Sequence, residues 1–240
     1  MKAFFLGILL IVGMSQSFAQ KKQKIAIQSL SDIKIDADLS EWDTLHNVAD
    51  QGFWFYQLAQ DASNLYLAIR VEDYSLHISA ILSGIVFSVI PDKKNRDEIL
   101  FLYPYTDREA KRAINQEGYR SEEEEKRAFI ERSRGYFVYG FPTIPSGLLS
   151  FQNEYGLRAK IRTDEGTLYY EAVIPKSLLD YTKPLAILKL AIHDGITPLV
   201  APKKSASTRS GGMYRPYRGR PTPRSKDIRI REVLLEAKID

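Results

Sequence analysis

The 240-residue chain contains no cysteine. That excludes disulfides, thiolate metal sites, thiol nucleophiles and lipid attachment at a cysteine together, and it leaves the apolar core to hold the fold. Histidine is scarce. His46, His77 and His193 stand apart among ordinary strand and turn residues, and each reads as a structural or surface histidine. Of three methionines only Met213 lies beyond the first 19 residues, so a haem with an axial methionine is not expected. Gly-x-Ser-x-Gly elbows, His-Glu-x-x-His pairs and phosphate-cradling glycine loops are also missing. The chain is therefore read as not an enzyme. Carboxylates are plentiful enough for glycoside hydrolysis, but their separation is not readable from sequence.

Acid is missing from one stretch. Lys203, Lys204, Arg209, Arg215, Arg218, Arg220, Arg224 and Lys226 follow one another with no Asp or Glu between them. The chain's net charge of +4 less these eight leaves −4 elsewhere, which describes a mildly acidic body with one basic loop. Long apolar runs are missing too, except at the start. Lys2, the apolar run over residues 3–12 and Ser17-Phe18-Ala19 have the layout of a secretory signal peptide over residues 1–19. The expectation is an exported protein, periplasmic or at the cell surface, with no transmembrane segment after signal removal. Residues 20–240 are then long enough for one domain with its own core.

What is present is mostly strand. Residues 24–30 and 33–35 alternate apolar and polar side chains, and Asp36-Ala37-Asp38 turns. Residues 52–58 form an aromatic strand in which either Phe53 and Phe55 or Trp54 and Tyr56 face away from the core. Leu65, Leu67, Ile69 and Val71 make the cleanest alternation. Residues 84–90 are apolar on both faces, as in a central strand, and 99–103 follow as a hairpin partner. Further strands are read at 136–141, 157–162, 168–174, 185–192 and 228–237. Between residues 106 and 134 the composition turns to Glu, Arg, Lys and Ala. Thr106 with Glu109 and Ser121 with Glu124 have capping-box spacing, and Gly118 separates two short helices. Short strands with one helical insertion predict an all-β fold, an antiparallel β-sandwich.

Three stretches carry a resemblance. Ile35-Asp36-Ala37-Asp38-Leu39-Ser40-Glu41-Trp42 is similar to the Ile-Asp-Gly-x-Leu-x-Glu-Trp start of family-nine-like carbohydrate-binding modules, with Ala37 where glycine is usual. Asp61-Ala62-Ser63-Asn64-Leu65-Tyr66, with Val71 and Asp73 beyond, resembles a second motif of that family. Tyr170-Glu171-Ala172-Val173-Ile174-Pro175 resembles a third. The resemblance implies a β-sandwich and a non-catalytic glycan-binding role. In sugar-binding members two tryptophans clamp a terminal saccharide. Here the first of those regions, residues 75–84, has neither tryptophan nor acid, and the second is the basic loop over residues 201–227. Trp42 is read as a packed aromatic capping the sandwich end.

The candidate ligand contacts are Tyr214, Arg215, Tyr217 and Arg218, because tyrosine stacks on sugar rings and arginine pairs with carboxylate or phosphate. Trp54 and Tyr56 form a second candidate aromatic surface. The expected partner is a glycan or an anionic polysaccharide, and nucleic acid is not expected. Docking of the basic loop on an anionic envelope partner is the alternative. Asp36, Asp38, Asp61, Asp73 and Asp92 fall at turns, where calcium finds oxygen ligands, so calcium is a possible cofactor and no other is expected.

Overall fold

The computed structural model describes residues 22–31, 33–48, 53–91, 97–118, 121–179, 185–200 and 231–239. The chain opens with β1 (Gln23–Lys24) and β2 (Gln28–Ser29), a 3-10 turn at Leu39–Glu41, and β3 (His46–Asn47). Strands β4 (Trp54–Gln60) and β5 (Asn64–Val71) form a hairpin that leads into helix α1 (Tyr74–Ser83). Strands β6 (Ile85–Ile90) and β7 (Ile99–Tyr103) precede helices α2 (Arg108–Gln116) and α3 (Glu122–Glu131). The rest is strand: β8 (Tyr136–Tyr139), β9 (Gly147–Leu149), β10 (Arg158–Asp164), β11 (Thr167–Pro175), β12 (Leu185–Ile192) and β13 (Glu232–Lys238).

Among the described residues these strands form two sheets. One runs β1-β13-β12-β6-β7-β8-β9; the other runs β10-β11-β5-β4-β2, with β3 beside β4. Alternation decides which side chains meet between them. Leu65, Leu67, Ile69 and Val71 of β5 face Phe87 of β6, Phe101 of β7 and Leu188 and Leu190 of β12 in one continuous core. The result is a β-sandwich. The sheets are not wholly antiparallel as expected. Strand β1 pairs parallel with β13 (Gln23 opposite Leu235), and β2 pairs parallel with β4 (Gln28 opposite Ala59). The single strand read over residues 24–30 is thus two edge pieces, because the segment leaves one sheet and joins the other within a few residues.

Helix α1 was not foreseen. Its signals are ordinary: the Asp73 carboxylate accepts from the Leu76 N–H at 2.9 Å as N-cap, and Gly84 ends the helix at φ +91°. A side chain at Gly84 would meet the Pro104 carbonyl oxygen at 2.6 Å, so glycine is required for space as well as for φ. Leu76, Ala80 and Ile81 bury one face of α1 in the main core. Helices α2 and α3 fall inside the expected insertion, with Gly118 between them at φ +63°. Ser121 caps α3 by accepting from the Glu124 N–H, as its spacing implies. The cap of α2 is Asp107 and not Thr106, whose hydroxyl donates to the Phe129 carbonyl and ties the two helices together.

Candidate functional site

The first and third resemblance stretches meet in space. Glu171 projects from the outer face of β11 with no exposed surface and gathers three N–H donors. Its carboxylate accepts from the backbone of Asp36 (3.0 Å) and Ala37 (2.7 Å) and from the Trp42 indole (2.7 Å). Burial pushes the carboxyl above its ordinary range, and the three donors pull it part of the way back. Ala37 stands at φ +66°, the left-handed turn that glycine serves in the related motif, and its carbonyl accepts from Arg162 Nε at 3.2 Å. Ile33, Trp42, Ala59, Tyr66, Ala68 and Val173 form a second small core around this clasp. Trp42 therefore packs over the outer face of the second sheet. It does not cap the sandwich end.

The residues singled out from sequence have three fates. Trp54 and Tyr56 are each 1% exposed and belong to the main core, so they make no aromatic surface. Register is the reason: Trp54 lies opposite Val71 and Tyr56 opposite Ile69, both inward positions, which turns Phe55 outward over the Arg70 guanidinium. Tyr214, Arg215, Tyr217 and Arg218, with the whole segment 201–230, lie outside the described residues. Four of the turn aspartates serve nearby backbone. Asp36 accepts from the Asp38 N–H, Asp38 from Ser40, Asp73 from Leu76, and Asp61 from Ser63 and Asn64; Asp92 lies outside the described residues. Burial acts to raise the Asp61 carboxyl, but the Tyr66 hydroxyl and those N–H groups bring it down to about 2. Among the described residues no three acids or histidines stand together as a metal site.

A concavity does exist, in a place the sequence did not mark. A groove of about 430 Å³ runs between α1 and α3, within the roughly 300–1,000 Å³ of small-molecule sites. Ile78, Ile81 and Leu82 of α1 and Phe129 of α3 give it apolar walls. The rim is polar, with Ser75 and Ser79 on one side and Glu122, Glu125 and Lys126 on the other. Tyr74 stands at the mouth with 59% of its surface exposed. Its hydroxyl donates to Glu122, and the Lys126 ammonium sits 5.1 Å from its ring centroid and 2.8 Å from the Glu122 carboxylate. The Lys126 hydrogen bond and then the Tyr74 hydroxyl hold the Glu122 carboxyl below its usual range.

The groove belongs to α1, built from the stretch that reads as barren when only tryptophan and acid are sought. The acids come from α3, some forty residues later, so no local motif joins them. One neighbouring histidine is fixed. His77 is 1% exposed, its Nδ1 donates to the Gly166 carbonyl at 2.7 Å, and burial holds its imidazole below the usual range. A second concavity of about 200 Å³ lies beside Lys189, His193, Asp194, Thr197 and Arg231. There Asp194 closes a local turn on the Ile196 and Thr197 N–H groups, and His193 Nε2 donates to the Thr197 carbonyl.

The protein is by its fold a two-sheet β-sandwich carrying three helices among the described residues. No family model and no curated protein matches the sequence. The structure is similar to a family 9 carbohydrate-binding module from Caldicellulosiruptor kristjanssonii in complex with glucose, at 11% identity and a TM-score of 0.38, covering 70% of this chain and 78% of that one. It is similar also to that organism's family 9 module in complex with cellotriose, at 12% identity and a TM-score of 0.37, covering 70% and 76%.

Proposed function

We propose that the protein is a non-catalytic glycan-binding module, exported to the periplasm or cell surface, and that the α1–α3 groove is its binding site. The observation that carries this reading is the make-up of the groove. A pyranose presents a C–H face and a ring of hydroxyls, and recognising it takes an accessible aromatic plate beside convergent acceptors and donors. Tyr74 offers the plate; Ser75, Ser79, Glu122 and Glu125 offer the polar partners. The sequence resemblance to carbohydrate-binding modules points the same way. Glu122 is already engaged by Tyr74 and Lys126, an arrangement suited to holding a ligand and not to exchanging protons with it.

The test is calorimetric titration of the chain lacking residues 1–19 with neutral and acidic oligosaccharides, alongside a reducing-sugar assay. Binding of a neutral oligosaccharide that survives high salt, is lost in Tyr74→Ala and releases no reducing sugar is the expected result. The basic stretch supports a second reading, docking on an anionic envelope polymer through Tyr214, Arg215, Tyr217 and Arg218. That reading requires binding to acidic polymers alone, lost at high salt and in Tyr214→Ala with Tyr217→Ala, and unaffected by Tyr74→Ala.

A further inference from the structure

The charges along the groove say what kind of sugar it takes, given the glycan-binding reading above. Lys126 is the cation on the lining, and it is already committed. Its ammonium is 2.8 Å from Glu122 and 3.7 Å from Glu123, and it lies over the Tyr74 ring. Arg231 reaches a lining residue, donating to Ser79 Oγ at 2.9 Å, but its guanidinium borders the neighbouring concavity with Glu232 and not this one. Glu125 differs from all of these. It lines the groove half-buried, and among the described residues its carboxylate meets no cation and no hydrogen-bond donor. Among the described residues, Glu122 and Glu125 against Lys126 leave the lining with one uncompensated negative charge. Glu123, on the same first turn of α3, shares the Lys126 ammonium with Glu122.

A uronic acid or a phosphorylated sugar entering here would set its anion beside that charge, with no uncommitted cation on the lining among the described residues to receive it. A saccharide with a free amine would supply what the site lacks. We infer that the α1–α3 groove selects an amino sugar, a hexose unit whose protonated amine is received by Glu125 while its ring lies against Tyr74. The apolar walls strengthen this preference, because a charge pair flanked by Ile78, Leu82 and Phe129 is screened less than one in open water.

The experiment compares four oligosaccharides of one length: glucosamine units, their N-acetylated counterpart, a neutral glucan and an oligouronate. Titrations run at about pH 6, where an amine of this kind is protonated. The expected order puts the glucosamine oligomer about tenfold tighter than the N-acetylated one, the discrimination that one charge-assisted hydrogen bond supplies, and the uronate weakest. Glu125→Gln should bring aminated and N-acetylated ligands within about twofold of each other, with the melting temperature unchanged. Glu109→Gln, on the exposed side of α2, should leave the preference intact.

Equal affinity for the aminated and N-acetylated oligomers would overturn the inference. So would a preference that survives Glu125→Gln, one that Glu109→Gln abolishes equally, or tighter binding of the uronate. If neutral oligomers bind through Tyr74 and the amine brings no gain, this inference fails while the glycan-binding reading stands. If none of the four binds, both fail.

Discussion

Removing the Glu171 carboxylate tests whether the segment around Trp42 is held to the sandwich by one side chain. In Glu171→Ala three N–H groups lose their acceptor: Asp36, Ala37 and the Trp42 indole. The Asp36 N–H is only partly buried and can turn to water. Ala37 and Trp42 are 0% and 5% exposed and cannot. An orphaned buried donor costs about 1–3 kcal/mol, so two give about 2–6 kcal/mol. Against this, the substitution relieves the cost of a buried carboxylate, which places the net loss toward the lower end, about 2–4 kcal/mol. Glu171→Gln is the sharper variant. One amide oxygen cannot serve donors on both sides, so its NH₂ must face either the indole or the Ala37 N–H, and a loss of about 1–3 kcal/mol is expected.

Urea unfolding followed by tryptophan fluorescence measures both variants, with the midpoint moving and the slope unchanged. The pH dependence carries a sign. Burial raises the folded carboxyl above 4.5, so folded protein keeps the proton to higher pH than the unfolded chain does. Glu171 therefore contributes most below pH 4.5, and the contribution declines as pH rises through the raised value. The gap between wild type and Glu171→Gln should narrow over that window. A Glu171→Ala midpoint within error of wild type would refute the clasp, and a gap that widens with pH would refute burial as the dominant influence on this carboxyl.

Two further outcomes follow from buried polar groups. The Tyr170 hydroxyl is wholly buried without a hydrogen-bond partner among the described residues, whereas the Tyr136 hydroxyl accepts from the Ala159 N–H at 3.1 Å. In chemical denaturation Tyr170→Phe should leave stability unchanged or raise it by up to about 1 kcal/mol, while Tyr136→Phe should lower it by about 1–2 kcal/mol. His77 is held neutral by burial, so the folded state resists protonation below the ordinary value of 6.5 while the unfolded chain does not. Its contribution is complete above pH 6.5 and is lost as pH falls through the lowered folded value. Thermal melts of His77→Gln should fall less between neutral and mildly acidic pH than those of wild type, and parallel curves would contradict this.

The sandwich was legible because strands advertise themselves by alternation. Leu65, Leu67, Ile69 and Val71 face the core as read, and Leu188 and Leu190 do the same from β12. Alternation alone did not say which face of the 53–56 aromatic run was inward, because both faces are large and apolar; cross-strand register with β5 decided it. Helix α1 was missed although Asp73 and Gly84 mark its ends. Its residues Ile78, Ile81 and Leu82 are as apolar as those of a strand, and neither a tryptophan nor an acid stands among them. The groove was out of reach for a plainer reason: Tyr74 and Glu125 are about fifty positions apart, and the packing of α1 against α3 that unites them leaves no trace in spacing.

The recognisable residues and the candidate binding residues are different sets, and the fold explains why. Asp36, Ala37, Trp42 and Glu171 fasten the N-terminal segment across the outer face of the second sheet, and that task constrains the side chains of Trp42 and Glu171 and the backbone at Ala37. Only an ionised or acidic acceptor meets three donors there, and only a residue tolerant of positive φ fits at Ala37. The groove makes the opposite demand. Its walls need apolar bulk of any shape, and Tyr74 and Glu122 at its mouth are exposed, where exchange costs the fold little. Substitution at Tyr74 should therefore cost the fold less than substitution in the clasp. Stability should then follow Glu171 and ligand binding should follow Tyr74, with neither substitution acting through the other.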